Sequence, residues 1–271
     1  MATLRYVIGS GWWCADTDER SVNPERKLLG DEAIRGVTFF RIWFDSLRRC
    51  TSPMAIAVVD SNSPVKPDLS LREEVFWLEL PLNAKHSTNH VGQWSGWMRS
   101  VLLSGHYALN SDADYFVYVE QDCLLQGDGI IEHCIEHMKK DLMFGSGEGT
   151  PQPLQQSFFI VRRQGLGRFL DNLVSLRKTD RDLTPEWKFI YASWRPLVVA
   201  SNLGLLENPR VRRLALRLAR RFFFDHLPVG TGRVRPLPSG ARFLYFQHGT
   251  SEELATYLAG SSIKTIASKA Y

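Results

Sequence analysis

The chain is 271 residues long, carries a net charge of +4 at neutral pH, and is 44% hydrophobic and 23% charged. Those proportions belong to an ordinary globular protein with room for one large α/β domain. Cys14, Cys50, Cys123 and Cys134 are scattered without a CxxC pair, which excludes a disulfide framework or a Cys-rich zinc site and points to a reducing cytoplasm. The first residues lack the basic start and long apolar core of a signal peptide, and no apolar run approaches the ~20 residues that span a bilayer. The expected setting is therefore cytoplasmic, or peripheral on the inner face of a membrane. The positive charge is local. Residues 208–242 hold nine arginines against one acid, Asp225, whereas the rest of the chain carries 24 basic and 28 acidic residues. Such a segment implies an anionic partner at one place.

In chain order, Leu4–Gly9 predicts a first strand, running into a loop with Gly9, Gly11, Trp12 and Trp13. Residues 14–30 are polar and turn-rich, as in a long loop over a site. Phe39, Phe40, Trp43, Phe44 and Leu47 recur at helical spacing and predict a helix over Asp31–Arg49. A buried strand follows over Met54–Val59, ended by the turn cluster Asp60-Ser61-Asn62-Ser63-Pro64. A third strand over Glu74–Leu80 and a helix over Gly92–Leu109 lead to the segment YFVYVEQD, residues 115–122. Its five apolar residues suit a strand buried on both faces, and Glu120 and Asp122, two apart, point to one side. Two carboxylates at a strand end suit a hard divalent cation whose other positions go to phosphate oxygens. The alternative is a solvated strand end bearing two ordinary acids.

Beyond it, helices are expected over Gly129–Lys140, Gly165–Arg177, Thr184–Ser193 and Pro209–Phe224, and strands over Leu142–Gly145, Gln156–Val161 and Arg242–Gln247. This alternation argues for a mostly parallel sheet covered by helices.

The stretch from Asn89 to Asp122 resembles the core of GT-A-fold glycosyltransferases, which carry a glycine-bearing helix, an apolar strand and a DxD metal motif. Ala108, Asp114 and Tyr115 match the approach to that motif, and Glu120-Gln121-Asp122 stands in its place, with Glu for the first Asp. The resemblance covers roughly residues 4–162, and beyond that rests on Glu186 and His248. It implies an α/β, Rossmann-like GT-A fold with a mostly parallel central sheet flanked by helices and a basic, helical C-terminal appendage. It also implies one domain over 1–271: a nucleotide-sugar half to 125, an acceptor half over 126–250, and a C-terminal helix and tail.

The implied activity is metal-dependent transfer of a sugar from a nucleotide-diphosphate donor to a glycan or lipid-linked acceptor, with Mn²⁺ or Mg²⁺ as cofactor. Such transfer needs the charge on the departing diphosphate neutralised. The metal would be held by Asp122 and His248, with Glu120 acting directly, through water, or on the donor's ribose. An imidazole ligand favours Mn²⁺ over Mg²⁺. The alternative for His248 is a turn histidine packed on Tyr245 or Phe246. Gly9, Ser10 and Gly11 would let the backbone approach the nucleotide, Trp12 or Trp13 would stack on the base, and Asp60, Asn62, Arg99 and Gln121 complete the donor-binding candidates. GSGWWC lacks the third glycine of a dinucleotide fingerprint. An inverting enzyme needs a carboxylate base, for which Glu186 is the first candidate and Asp182 the second; an acid in a first helical turn also suits the helix dipole alone.

Two further motifs need weighing. His133 to His137 (HCIEH) matches the HxxEH zinc pattern, but its apolar neighbours put both histidines toward solvent on a cover helix. The basic segment 209–224 fits an anionic membrane surface or a lipid-diphosphate acceptor, or else an amphipathic surface helix packed on the core. No nucleic-acid module accompanies it. Two other functions remain open: a nucleotidyltransferase making a nucleotide sugar, against which stands the lack of a glycine- and lysine-rich phosphate loop, and a non-catalytic glycan- or membrane-binding module.

Overall fold

The computed structural model describes residues 4–15, 30–238 and 240–260. Its strands are β1 (Tyr6–Trp12), β2 (Ala55–Asp60), β3 (Phe76–Glu79), β4 (Tyr115–Val119), β5 (Cys123–Gln126), β6 (Leu142–Ser146), β7 (Leu154–Arg162), β8 (Phe224–His226), β9 (Thr231–Gly232) and β10 (Leu244–Gln247). The α-helices are α1 (Val37–Cys50), α2 (Leu69–Glu73), α3 (Gly96–Asn110), α4 (Ile130–Glu136), α5 (Arg163–Ser175), α6 (Pro185–Ala192), α7 (Arg195–Asn202), α8 (Pro209–Phe222) and α9 (Ser251–Gly260). The large sheet has the order β3-β2-β1-β4-β7-β6-β8, with only β7 antiparallel to its neighbours. A small second sheet has the order β5-β10-β9. The fold is thus α/β with a mostly parallel central sheet flanked by helices, as expected.

Both faces of the sheet are covered, which explains the unbroken apolar run in β4. Tyr6, Ile8, Val117 and Val119 pack with Phe39, Phe40, Trp43 and Leu47 of α1 on one face. Val7, Phe116 and Tyr118 pack with Met98 and Val101 of α3 and Phe169 and Leu170 of α5 on the other. Each fully buried large side chain of this kind contributes about 1.5–3 kcal/mol.

The first strand differs from expectation: it runs on to Trp12, so Gly9 and Gly11 lie within it instead of forming a loop. The reason is helix packing. A Cβ on Gly9 would sit 2.3 Å from Ser104 Oγ and 2.6 Å from Phe116, and one on Gly11 would sit 2.8 Å from Ser100 Oγ. Gly9→Ala is therefore expected to destabilise the protein by about 1–3 kcal/mol, read as a lower urea midpoint at unchanged slope. An unchanged midpoint would show that α3 can move away freely.

Other differences have local causes. The helix expected from Asp31 is interrupted at Gly36, with a 3-10 turn over Glu32–Arg35 before α1. The helix expected from Gly92 starts at Gly96, where the Ser95 hydroxyl caps Met98 N at 3.4 Å. α2, β5, α7, β8 and β9 were not expected; each is short and lacks a distinct period. The expected loop over residues 14–30 lies outside the described residues except at its ends, as does the chain after residue 260. Among the described residues no helix is long and apolar enough to cross a membrane.

Candidate active site

A cavity of about 620 Å³ opens beyond the carboxyl ends of β1, β2 and β4. β1 and β4 are neighbours, and the next strands of this sheet after each lie on opposite sides, the place where open α/β sheets bind ligands. Gly11, Trp12, Trp13, Glu120, Gln121, Asp122, Glu186 and His248 line it together with Arg35, Lys85 and Arg233. Residues far apart in sequence therefore meet in one place.

The acidic motif sits on the turn after β4, closed by Cys123 N donating to Glu120 O at 2.9 Å. From that turn β5 enters the small sheet and pairs antiparallel with β10, Gln247 opposite Cys123. One residue further, His248 faces Asp122, with Nε2 3.2 Å from Asp122 Oδ2. This register, and not ring packing on Tyr245 or Phe246, sets the orientation of His248.

Gln247 pins the two acids. Its Nε2 donates to Glu120 Oε2 at 2.6 Å and to Asp122 Oδ1 at 3.1 Å. Arg35 adds a cation, with Nη2 3.7 Å from Asp122 Oδ2. Burial alone would raise the Asp122 pKa, but the charge and hydrogen bond of His248, then Arg35 and Gln247, outweigh it and hold the group below the usual carboxylate range. Asp122 is therefore an anion at any physiological pH.

The donor set can be compared with what a divalent cation requires. Asp122 Oδ2 and His248 Nε2 lie 3.2 Å apart, a carboxylate and an imidazole that could both bind a divalent cation once the imidazole is neutral. Among the described residues no group of three or more acid, histidine or cysteine side chains could hold a metal ion. The residues present fit a cation that takes its remaining ligands from water and a substrate's phosphates, not one caged by protein alone.

The remaining candidates divide sharply. Gln121 exchanges two hydrogen bonds with the backbone of Trp13, accepting from Trp13 N at 2.8 Å and donating to Trp13 O at 3.1 Å. Trp13 is half-buried at the cavity wall, whereas the Trp12 ring is buried against Phe40 and donates to Val65 O. Glu186 lies in the first turn of α6, is only 5% exposed, and borders the cavity. Among the described residues nothing donates a hydrogen bond to its carboxylate.

Gly9, Ser10, Asp60, Asn62, Arg99 and Asp182 do not line the cavity. Gly9 serves helix packing, and Ser10 is buried with its hydroxyl on Gly11 O. Asn62 is an exposed turn residue donating to Pro81 O, and Arg99 donates to Trp94 O. Asp182 accepts from Thr179 N and Oγ1 in a surface turn, and these bonds lower its pKa.

Asp60 is fully buried; its Oδ1 accepts from Ser63 N at 2.9 Å and its Oδ2 lies 3.8 Å from Lys66 Nζ. Burial pushes its pKa up to about 6. A raised folded-state value means that the ionised form is less stable in the fold, so stability falls as pH rises from about 4 through 6. Asp60→Asn is expected to remove that slope and gain about 1–3 kcal/mol at neutral pH relative to pH 4. Urea midpoints of both proteins across this range test it; parallel pH profiles would refute it.

Arg35, Lys85, Arg233 and Gln247 were not singled out in the sequence. Arg233 lay inside the arginine-rich segment, which was a signal in charge but not in position; it donates from Nε to Gln247 Oε1 at 3.3 Å. Of the two histidines of the HxxEH helix, His137 is exposed as expected, whereas His133 is half-buried and stacks on Phe243 at 4.6 Å.

No protein-family model matches the chain, and no curated protein does. Among solved structures it is similar to the glycosyltransferase GlyE of Streptococcus pneumoniae TIGR4, at 12% identity and a TM-score of 0.39, over 83% of this chain and 45% of that one. It thus spans less than half of that protein's length. It is also similar to a glycosyltransferase involved in glycosylation of the major capsid of PBCV-1, at 10% identity and TM-score 0.46, covering 96% of this chain and 100% of that one. A cytidylyltransferase from Leptospira borgpetersenii is similar at 12% identity and TM-score 0.41, over 83% and 75% of the two chains. Both transferase classes occur among these likenesses.

Proposed function

We propose that this chain is a GT-A-type glycosyltransferase, moving a hexose or pentose from a nucleotide-diphosphate donor to a glycan or lipid-linked acceptor with inversion. What supports the reading is the meeting of Glu120, Asp122, His248 and Glu186 at one cavity. Trp13, held by Gln121, would stack on the base, and Glu120, fixed by Gln247, would face the ribose or the diphosphate. Arg35, Lys85 and Arg233 bring positive charge to the cavity lining, where a diphosphate would lie. Mn²⁺ or Mg²⁺ held by Asp122 and His248 would supply Lewis-acid neutralisation of the departing diphosphate. Glu186 would take the proton from the acceptor hydroxyl as it attacks.

A panel of nucleoside diphosphates, titrated by calorimetry with Mn²⁺ and again with chelator, tests donor recognition. One base is expected to bind at micromolar affinity, weakened at least about tenfold by chelation, through loss of the shared phosphate ligation. Absence of binding by every diphosphate would overturn the reading.

A further inference from the structure

We propose that α8 docks on an anionic phospholipid bilayer, its apolar stripe entering the headgroup boundary and its arginines pairing with lipid phosphates. The inference stands on this helix alone and deepens the proposed function only by bringing the enzyme to the surface where a lipid-linked acceptor would reside.

At 14 residues the helix is about 21 Å long. Only Ala215 and Ala219 are buried, while Val211, Leu214 and Phe222 are 41%, 55% and 55% exposed. The helix does pack on the core, through Ala215, Ala219 and Leu216, but Val211, Leu214 and Phe222 stay outside that contact. At 100° per residue, Val211, Leu214, Leu218 and Phe222 form a stripe beside the buried alanines, and Arg210, Arg213, Arg217 and Arg221 run along its other edge. A helix covering a core buries its apolar stripe; a helix lying in a membrane interface keeps it open next to a cationic face.

The charge is equally uncompensated. Among the described residues no carboxylate forms a salt bridge with an arginine of α8. The acids flanking the helix are engaged elsewhere: Glu207 accepts from Lys178 Nζ at 3.0 Å, and Asp225 accepts from Lys139 N and Lys140 N at 2.8 Å. Leu203 and Leu205, 68% and 56% exposed, add apolar surface on the segment leading into the helix. Arg212 is turned inward, 4.8 Å from the ring of Trp187, and so ties α8 to the helix that carries Glu186. Nucleic acid would use the arginines but not the stripe, and a second copy would bring two arginine rows together.

The test is co-sedimentation with vesicles of phosphatidylcholine alone or mixed with phosphatidylglycerol, at low and high salt. Binding is expected only to the anionic vesicles, weakened by salt. Arg213→Glu/Arg217→Glu/Arg221→Glu should weaken it at least about 100-fold, and Leu214→Ser/Phe222→Ser at least about tenfold. Failure to sediment with anionic vesicles at low salt overturns the proposal, as does undiminished binding by the Leu214/Phe222 variant. So does self-association in solution that this variant abolishes, which would assign the stripe to a second copy. Duplex DNA that binds the wild type but not the arginine variant, and displaces it from vesicles, also contradicts it. Donor turnover in vesicle-free solution should be the same in all three proteins, so loss of membrane binding is read separately from loss of transfer.

Discussion

Asp122→Asn is expected to lower sugar transfer about 10³-fold or more while the protein stays folded. The substitution keeps the shape of the side chain and an acceptor for Gln247, and it removes the one buried anion that His248 and Arg35 both face. Removing one preorganised electrostatic element at a reacting centre costs about 10²–10³-fold, and losing the cation's anchor adds to that. The lowered pKa of Asp122 means that its neighbours stabilise the ionised carboxylate in the fold, so the amide is expected to lower stability at neutral pH. Divalent-cation-dependent binding of the nucleoside diphosphate should weaken in parallel. Wild-type turnover by a folded Asp122→Asn protein would remove this residue from the site.

Glu186→Gln is expected to reduce transfer about 10²–10⁴-fold with donor affinity unchanged within about twofold, since a general base acts only on the acceptor's proton. The amide keeps the size of the carboxylate and the packing of the first turn of α6. A split of this kind, rate without donor affinity, separates a base from a group that merely caps the helix. If Glu186 serves only the helix dipole, the variant should lose a few tenths of a kcal/mol of stability and nothing in rate. Product stereochemistry read by NMR gives the second check: the base role requires inversion at the anomeric carbon.

Much of the architecture was legible because its signals are local. The apolar run ending at Val119 reports a strand covered on both faces, and the five aromatic and aliphatic residues of α1 repeat at helical spacing. Glu120 and Asp122 could be singled out because a carboxylate pair after such a run is unusual. What was illegible depends on partners distant in sequence. Gly9 and Gly11 read as loop residues because nothing in their neighbourhood reveals that Ser100 and Ser104 press against them. Trp12 and Trp13 are indistinguishable by composition; alternation along β1 sends the first into the core and leaves the second at the cavity.

The same holds for charge. Asp60 was a donor-binding candidate, yet its carboxylate is fully buried and accepts from Ser63 N. Arg35 falls inside the helix expected over Asp31–Arg49, yet the break at Gly36 leaves it on a turn facing Asp122. Gln247 carried no sequence signal at all, because its role exists only once β10 pairs with β5. His248 was placed by resemblance, and the register of that pairing supplies the physical reason it reaches Asp122.

The most direct test is to incubate the protein and Mn²⁺ with a panel of nucleotide sugars, and separately with nucleoside triphosphates and sugar phosphates, and to identify the products. Glycosyl transfer predicts release of a nucleoside diphosphate together with the free or transferred sugar from one donor, lost with Asp122→Asn. Release of pyrophosphate from a triphosphate and a sugar phosphate, with no diphosphate from any nucleotide sugar, would contradict it and identify nucleotidyl transfer instead.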